Sequence, residues 1–100
     1  MKNQITLIGN VGSQPLVTNF ENGSKVVRLS IATPYFQNGE TKTEWHRLFA
    51  WGNVAQFVEN FAKQGKKIAV TGKLVHRTFI ARSGQPRRIT EIEIRQVIGL

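Results

Sequence analysis

Nine consecutive residues, Thr43 to Trp51, read Thr-Glu-Trp-His-Arg-Leu-Phe-Ala-Trp, and as an extended strand they split into two chemically different faces. One face carries His46, Leu48 and Ala50. The other carries Trp45, Arg47, Phe49 and Trp51. Folding the second face into a core would bury Arg47 without a partner, which is costly. Left bare, it would expose an unusually large apolar patch. Rings that alternate with positive charge suit a different use: nucleobases stack on the rings while the guanidinium meets a phosphate or packs on a base. Trp45 and Trp51 also suit a core or an oligomer interface, because large aromatics are buried on average, and Phe49 suits packing as well as stacking.

The same chemistry recurs further along the chain. Lys73, Val75, Arg77 and Phe79 alternate with Ile68, Val70 and Leu74 on the opposite face of one strand. Arg28 faces away from Val27, Leu29 and Ile31. Two loops are expected to flank this sheet, one contributing Tyr35, Phe36 and Lys42, the other Arg82, Arg87 and Arg88. Taken singly, each loop arginine also reads as a solvated side chain. Phe57 and Phe61 are assigned to the core of a helix.

Other chemistries find little support. The chain has no cysteine and no aspartate, and its only carboxylate side chains are Glu21, Glu40, Glu44, Glu59, Glu91 and Glu93. Thiolate nucleophiles, disulfides and sulfur-bearing zinc sites are therefore excluded. His46 and His76 lie on different strands, and neither a HExxH pair nor a GxxxxGK[ST] loop is present. We expect no metal, no cofactor and no catalysis. Glu91 and Glu93 share one strand face and read as a charged edge or as structural partners for nearby arginines.

The formal charge is +8, and no acid occurs between Glu59 and Glu91. That stretch holds eight lysines and arginines: Lys63, Lys66, Lys67, Lys73, Arg77, Arg82, Arg87 and Arg88. A polyanionic partner is the expected consequence. Anionic membrane fits less well, because no basic amphipathic helix is present. No apolar run approaches the length of a membrane span, and the apolar part of the N-terminus is short for a secretory signal, so a cytoplasmic, nucleoid-associated protein is expected. With 100 residues, 40% of them hydrophobic, residues 1–100 form one domain with a small core.

The elements that must position these residues follow from periodicity. Gln4 to Val11 reads as a strand, interrupted at Gly12 to Pro15, with Leu16 to Phe20 a short extended piece before the Asn22-Gly23 turn. Lys25 to Thr33 is the second strand and Thr43 to Trp51 the third. The polar segment Pro34 to Lys42 between them reads as a loop with a turn at Asn38-Gly39. Asn53 to Gln64 is the only convincing helix, with Val54, Phe57, Val58 and Phe61 as its apolar stripe, Asn53 as N-cap and Gln56 placed for a capping box. Gly65 would end it, with Lys63 near the negative end of the helix dipole. Lys66 to Phe79 is the fourth strand, Ile80 to Arg87 a loop, and Arg88 to Ile98 the fifth strand with Ile92 and Ile94 inward. Five strands with a helix between the third and fourth give the order of an OB-fold, a five-stranded Greek-key barrel, in an all-β domain with one helix.

These segments resemble the bacterial single-stranded DNA-binding protein family, SSB. Ile8-Gly9-Asn10-Val11-Gly12 with Pro15 is similar to the family's opening strand and turn. Asn22-Gly23 with Val26 to Thr33 is similar to its second-strand hairpin. Thr43-Glu44-Trp45-His46-Arg47 with Phe49 and Trp51-Gly52 is similar to its most distinctive segment, and Lys66 to Leu74 to its fourth strand. The likeness covers essentially the whole chain in the right order. It implies non-sequence-specific binding of single-stranded DNA in replication, recombination and repair. It also implies a homotetramer, or another oligomer such as a dimer, that wraps the strand. Stacking roles fall to Trp45, Trp51, Phe79 and an aromatic of the Tyr35-Phe36 segment, and His46 lies near a subunit contact. Trp51 and Phe79 stand where the family often has Phe and Trp, so an aromatic is kept at both. The loop after the second strand is short. Family members usually continue into a flexible tail whose acidic, hydrophobic tip recruits replication and repair proteins. The sequence ends at Gly99-Leu100, as a shortened form or a short paralogue would, and such partners are expected only if a tail lies beyond Leu100. Two rival readings keep the same fold: a primosome-type protein-interaction module, and an RNA-binding OB domain.

Overall fold

A computed structural model describes residues 3–100. Six strands and one helix follow one another as β1 (Ile5–Val11), β2 (Leu16–Asn19), β3 (Lys25–Gln37), β4 (Glu40–Trp51), α1 (Gly52–Phe61), β5 (Lys67–Ile80) and β6 (Pro86–Gly99). The strand order is β1-β5-β6-β4-β3-β2, and β1 also pairs with β3. That last pairing closes the sheet. β1 runs antiparallel to β5 from Ile5 to Asn10, then passes to β3 through Asn10↔Ala32 and Val11↔Ile31. β2 continues along β3 after the break at Gly12 to Pro15, so it is an extension of the first barrel strand rather than an independent one. The result is the expected five-stranded barrel with a helix between its third and fourth strands.

The core forms where the inward alternation of every strand converges. Val27, Leu29 and Ile31 from β3, Leu48 and Ala50 from β4, Ile68 and Val70 from β5, and Ile92 and Ile94 from β6 are all buried. Each large aliphatic group so buried stabilises the fold by about 1.5–3 kcal/mol. A register shift at Thr71/Gly72 opposes Gly72 to Ile94 and Thr71 to Gln96, leaving Arg95 as the extra residue. Past that bulge the inward alternation passes to Val97, which packs against the core.

The helix departs from the sequence expectation at both ends and on part of its buried face, where Val54 and Val58 meet the core as expected. Its N-cap position is Trp51, in extended backbone and without a side-chain cap, not Asn53. The β3–β4 ladder runs to Val26↔Trp51, so no residue is left between strand and helix to serve as a separate cap. Gln56, expected in a capping box, instead accepts from Lys25 Nζ at 2.6 Å. The helix stops at Phe61 rather than Gln64, and Lys63 Nζ donates to the Glu59 carbonyl at 3.1 Å, which suits a cation at that end. Ala55, Val58 and Ala62 enter the core, while Phe57 is exposed and stacks on Phe61 at 5.1 Å. Small alanines let the helix approach β3, β4 and β6 closely, and the larger phenylalanine is left at the rim.

The expected loop at 34–42 is mostly strand, with only Asn38 and Gly39 left as a turn, whereas the expected loop at 80–87 is a turn over 81–85 with strand at Ile80, Pro86 and Arg87. The β3–β4 ladder continues to Gln37↔Glu40, and the β5–β6 ladder continues to Ile80↔Pro86. Asn38 (φ 52°) and Gly39 (φ 78°) both take the left-handed conformation, as a two-residue turn with the twist of its strands requires. A tight turn leaves the flanking polar residues free to pair, so polarity alone makes 34–42 look like a loop. Both hairpins project beyond the barrel as arms. β4 and β6 pair only through Leu48↔Ile92 and Phe49↔Glu93, and the two arms are not paired to each other beyond that point.

Candidate nucleic-acid interface

The outer face of β4 carries Trp45, Arg47, Phe49 and Trp51, as the alternation predicts. Trp45 is 62% exposed and Trp51 46%. Trp45 lies across Gly12, where a Cβ would run into its six-membered ring, with Ser30 Oγ close to the same point. The glycine in the break between β1 and β2 is therefore what lets the indole lie flat against the barrel with its other side free. Trp51 is braced at the far end of the strand by Phe20, with ring centroids 6.0 Å apart and planes 26° apart. Phe49 is half-buried between these indoles, and the Arg28 guanidinium stands 5.4 Å from its ring centroid. Arg28 and Phe49 are direct cross-strand partners.

The neighbouring strands continue the same face. Ser30 opposes Arg47 on β3. On the other side of the β4–β6 contact lie Lys73, Val75, Arg77 and Phe79 of β5, opposed by Glu93, Glu91, Ile89 and Arg87 of β6. Phe79 and Arg87 thus form a cross-strand pair on the second arm, on the same face as Arg77. Phe36, 75% exposed, extends the Trp45 face up the first arm. Tyr35 and Lys42 are cross-strand partners on the opposite face of that arm, together with Thr33 and His46. Arg88 likewise lies on the opposite face of its arm, across from Thr78, and Arg82 sits in the turn between β5 and β6. Of the residues singled out from sequence, Trp45, Arg47, Phe49, Trp51, Arg28, Lys73, Arg77, Phe79, Phe36 and Arg87 share one continuous face. Tyr35, Lys42 and Arg88 border it from behind, and Arg82 lies at its tip.

A cleft of about 400 Å³ opens where the arms leave the barrel, lined by Ile5, Leu74 and Ile92 together with Trp45, His46, Arg47, Ile89 and Thr90. His46 is half-buried there and its Nε2 shares a hydrogen bond with Thr33 Oγ1 at 2.8 Å. Beside the cleft, a groove of about 300 Å³ runs over Ser30, Arg28, Arg47, Arg77, Ile89 and Glu91. Three guanidinium groups therefore converge on one groove. Arg47 makes no ion pair among the described residues, so its charge is open to an anion. Arg28 and Arg77 both pair with Glu91, at 2.5 and 2.6 Å. Apolar rings, fixed cations and an open groove can hold a flexible polyanion that carries flat apolar groups.

Sequence reasoning passed over two residues of this surface. Phe20 was read only as the end of an extended piece, although an aromatic just before an Asn-Gly turn on an edge strand is a usable signal. Glu91 reads from the sequence as a charged edge or an arginine partner; it is the second, paired with Arg28 and Arg77, and its position at the centre of the groove depends on the β4–β6 pairing, which no local pattern reveals. Among the described residues no cluster of three or more His, Cys, Asp or Glu could hold a metal ion. No helix among them is long and apolar enough to cross a membrane.

Residues 2–100 match the model of the Single-strand binding protein family. The chain is 36% identical over 101 residues to Single-stranded DNA-binding protein 1 of Xylella fastidiosa, covering 95% of this chain and 74% of that protein. It is 37% identical over 97 residues to the Single-stranded DNA-binding protein of Bacteroides thetaiotaomicron, covering 90% of this chain and 60% of that one. A structure described as the Plasmodium falciparum SSB complex with ssDNA superposes with a TM-score of 0.90 at 31% identity, covering all of this chain and 96% of the other.

Proposed function

We propose that this chain, which belongs to the single-strand binding protein family, binds single-stranded DNA without sequence specificity along the outer face of β3, β4, β5 and β6. The observation that carries the reading is the ring–cation alternation on β4. Trp45 and Trp51 stand exposed, each braced by a neighbour, on either side of Arg47, which makes no ion pair among the described residues. Bases stack on Trp45 and Trp51, with Phe36 and Phe79 extending the platform onto the two arms. Phosphates meet Arg47, Lys73 and Arg87. Phe49, half-buried under Arg28, forms the floor between the indoles rather than a free platform. A double helix presents no unstacked base and does not fit such a surface.

In this role the protein coats and protects single strands in replication, recombination and repair, at the nucleoid in the cytoplasm, as a homotetramer or homodimer. It is a binding protein and needs no cofactor. Recruitment of replication and repair proteins belongs to any segment beyond Leu100; the chain spans about three fifths of its Bacteroides relative.

The test is a tryptophan fluorescence titration with dT oligomers, with a duplex of equal length and an rU oligomer as controls. Strong quenching by dT alone supports the reading. Equal quenching by rU favours an RNA-binding domain. No quenching and no binding would mean that protein covers the aromatic face, as in an interaction module.

A further inference from the structure

Glu91 is the one buried charged side chain among the described residues, 4% exposed, yet it points to the outer face in the middle of the basic groove. Its two oxygens are engaged separately. Oε2 accepts from Arg28 Nη1 at 2.5 Å, and Oε1 accepts from Arg77 Nε at 2.6 Å. Arg28 belongs to β3 and Arg77 to β5, and β4 and β6 lie between those strands in the sheet. One carboxylate thus ties together two strands that do not touch across this face. A surface built only to attract phosphate gains nothing from a carboxylate at its centre, and a buried one is costly without close partners. The two guanidinium groups remain about half exposed, and Arg77 leaves both Nη groups unused by any side chain among the described residues.

We propose that Glu91 is a positioning residue that turns Arg28 and Arg77 from phosphate-neutralising charges into fixed hydrogen-bond donors for the edges of bases. With two arginines and one glutamate, the triad carries a net charge of only +1. Its carboxylate repels a phosphate lying above it, while the spare N–H groups suit the carbonyl and ring-nitrogen acceptors of a nucleobase. The backbone of the bound strand then runs past Arg47 and Arg87, which pair with no carboxylate among the described residues, and the bases turn inward over the triad. This assignment rests on the single-strand reading above and specifies which groups meet bases and which meet phosphate.

The experiment compares arginine-to-lysine variants, which keep the charge and lose the planar fork. Binding of dT oligomers is measured across a range of salt concentrations. Arg28→Lys and Arg77→Lys are expected to weaken binding about tenfold each with an unchanged salt slope, because a directed bond to a charged donor is lost. Glu91→Gln frees both arginines for phosphate and is expected to steepen the slope of log K against log salt by about 0.7, one further phosphate neutralised. The assignment is overturned if Arg28→Lys and Arg77→Lys bind like wild type, or if a folded Glu91→Gln protein keeps the wild-type slope. If Glu91→Gln fails to fold, the arginine variants decide alone, since those side chains are exposed. A wild-type protein that fails to bind dT at all would overturn the single-strand reading and this assignment with it; binding by wild type with indifferent lysine variants would overturn this assignment only.

Discussion

At the scale of single residues, the interface is made by rings that small or flat neighbours hold in place. Trp45 owes its exposure to Gly12, and Trp51 owes its orientation to Phe20. Replacing Trp45 or Trp51 by alanine is expected to weaken binding of dT oligomers by about 1–3 kcal/mol each, the usual worth of one stacked base. Thermal unfolding should hardly move, because neither ring belongs to the core. Fluorescence anisotropy beside a melting curve checks both halves; loss of fold with retained affinity would place the indoles in packing instead. Gly12→Val should have a similar effect on affinity by a different route. Its side chain occupies the space of the Trp45 ring and lifts the indole off the barrel, so affinity falls while the ring itself is still present. An unshifted Trp45 emission spectrum and unchanged affinity in that variant would count against the bracing role of Gly12.

At the scale of elements, the two hairpin arms decide how far the face reaches. Each arm is a ladder of exposed residues with no core beneath it, so its geometry depends on backbone pairing and on its turn. Gly39 sits at φ 78°, where a side chain is strained. Gly39→Ala is expected to cost about 1 kcal/mol of local stability and to loosen the tip of the β3–β4 arm. Amide exchange should quicken at Gln37 to Thr41, while the barrel strands stay protected. The barrel behaves differently. Ile31 is fully buried and meets the core from β3, and Ile31→Ala is expected to cost about 2–5 kcal/mol by the lost contacts and the cavity left behind. Chemical denaturation measures that loss directly, and a cost below 1 kcal/mol would contradict the burial described.

At the scale of the whole molecule, the charge of +8 is spread unevenly over the surface. Arg47, Lys73 and Arg87 face the interface with no ion pair among the described residues. If each neutralises one phosphate, log K should fall against log salt with a slope of about −2 from these three alone. A salt-insensitive complex would remove the electrostatic part of the proposal and leave stacking to carry the affinity. Much of the fold was legible before any coordinates. Alternation along 25–33, 43–51 and 66–79 set the inward and outward faces of three strands, and Ile92 and Ile94 were correctly turned inward. The helix is placed, and Val54 and Val58 of its expected stripe meet the core; Phe57 does not, and Ala55 and Ala62 join instead, because their burial depends on how closely α1 approaches the barrel. Segment 34–42 has the polarity of a loop because a solvated hairpin gives the same signal, whereas the loop expected at 80–87 holds over 81–85.

What the sequence determined by itself is whatever depends on neighbours one to four residues apart. That covers the strand faces, the turns at Asn22-Gly23 and Asn38-Gly39, and the ring–cation alternation from Trp45 to Trp51. It also covers the absence of cysteine and aspartate that narrows the chemistry. What only the tertiary structure decided is whatever depends on residues brought together from distant strands. The approach of Gly12 to Trp45, the stacking of Phe20 on Trp51 and the meeting of Arg28 and Arg77 on Glu91 are of this kind. Barrel closure and the short parallel contact of β4 with β6 set those meetings, and a one-residue change in either register would turn each side chain to the other face of its strand.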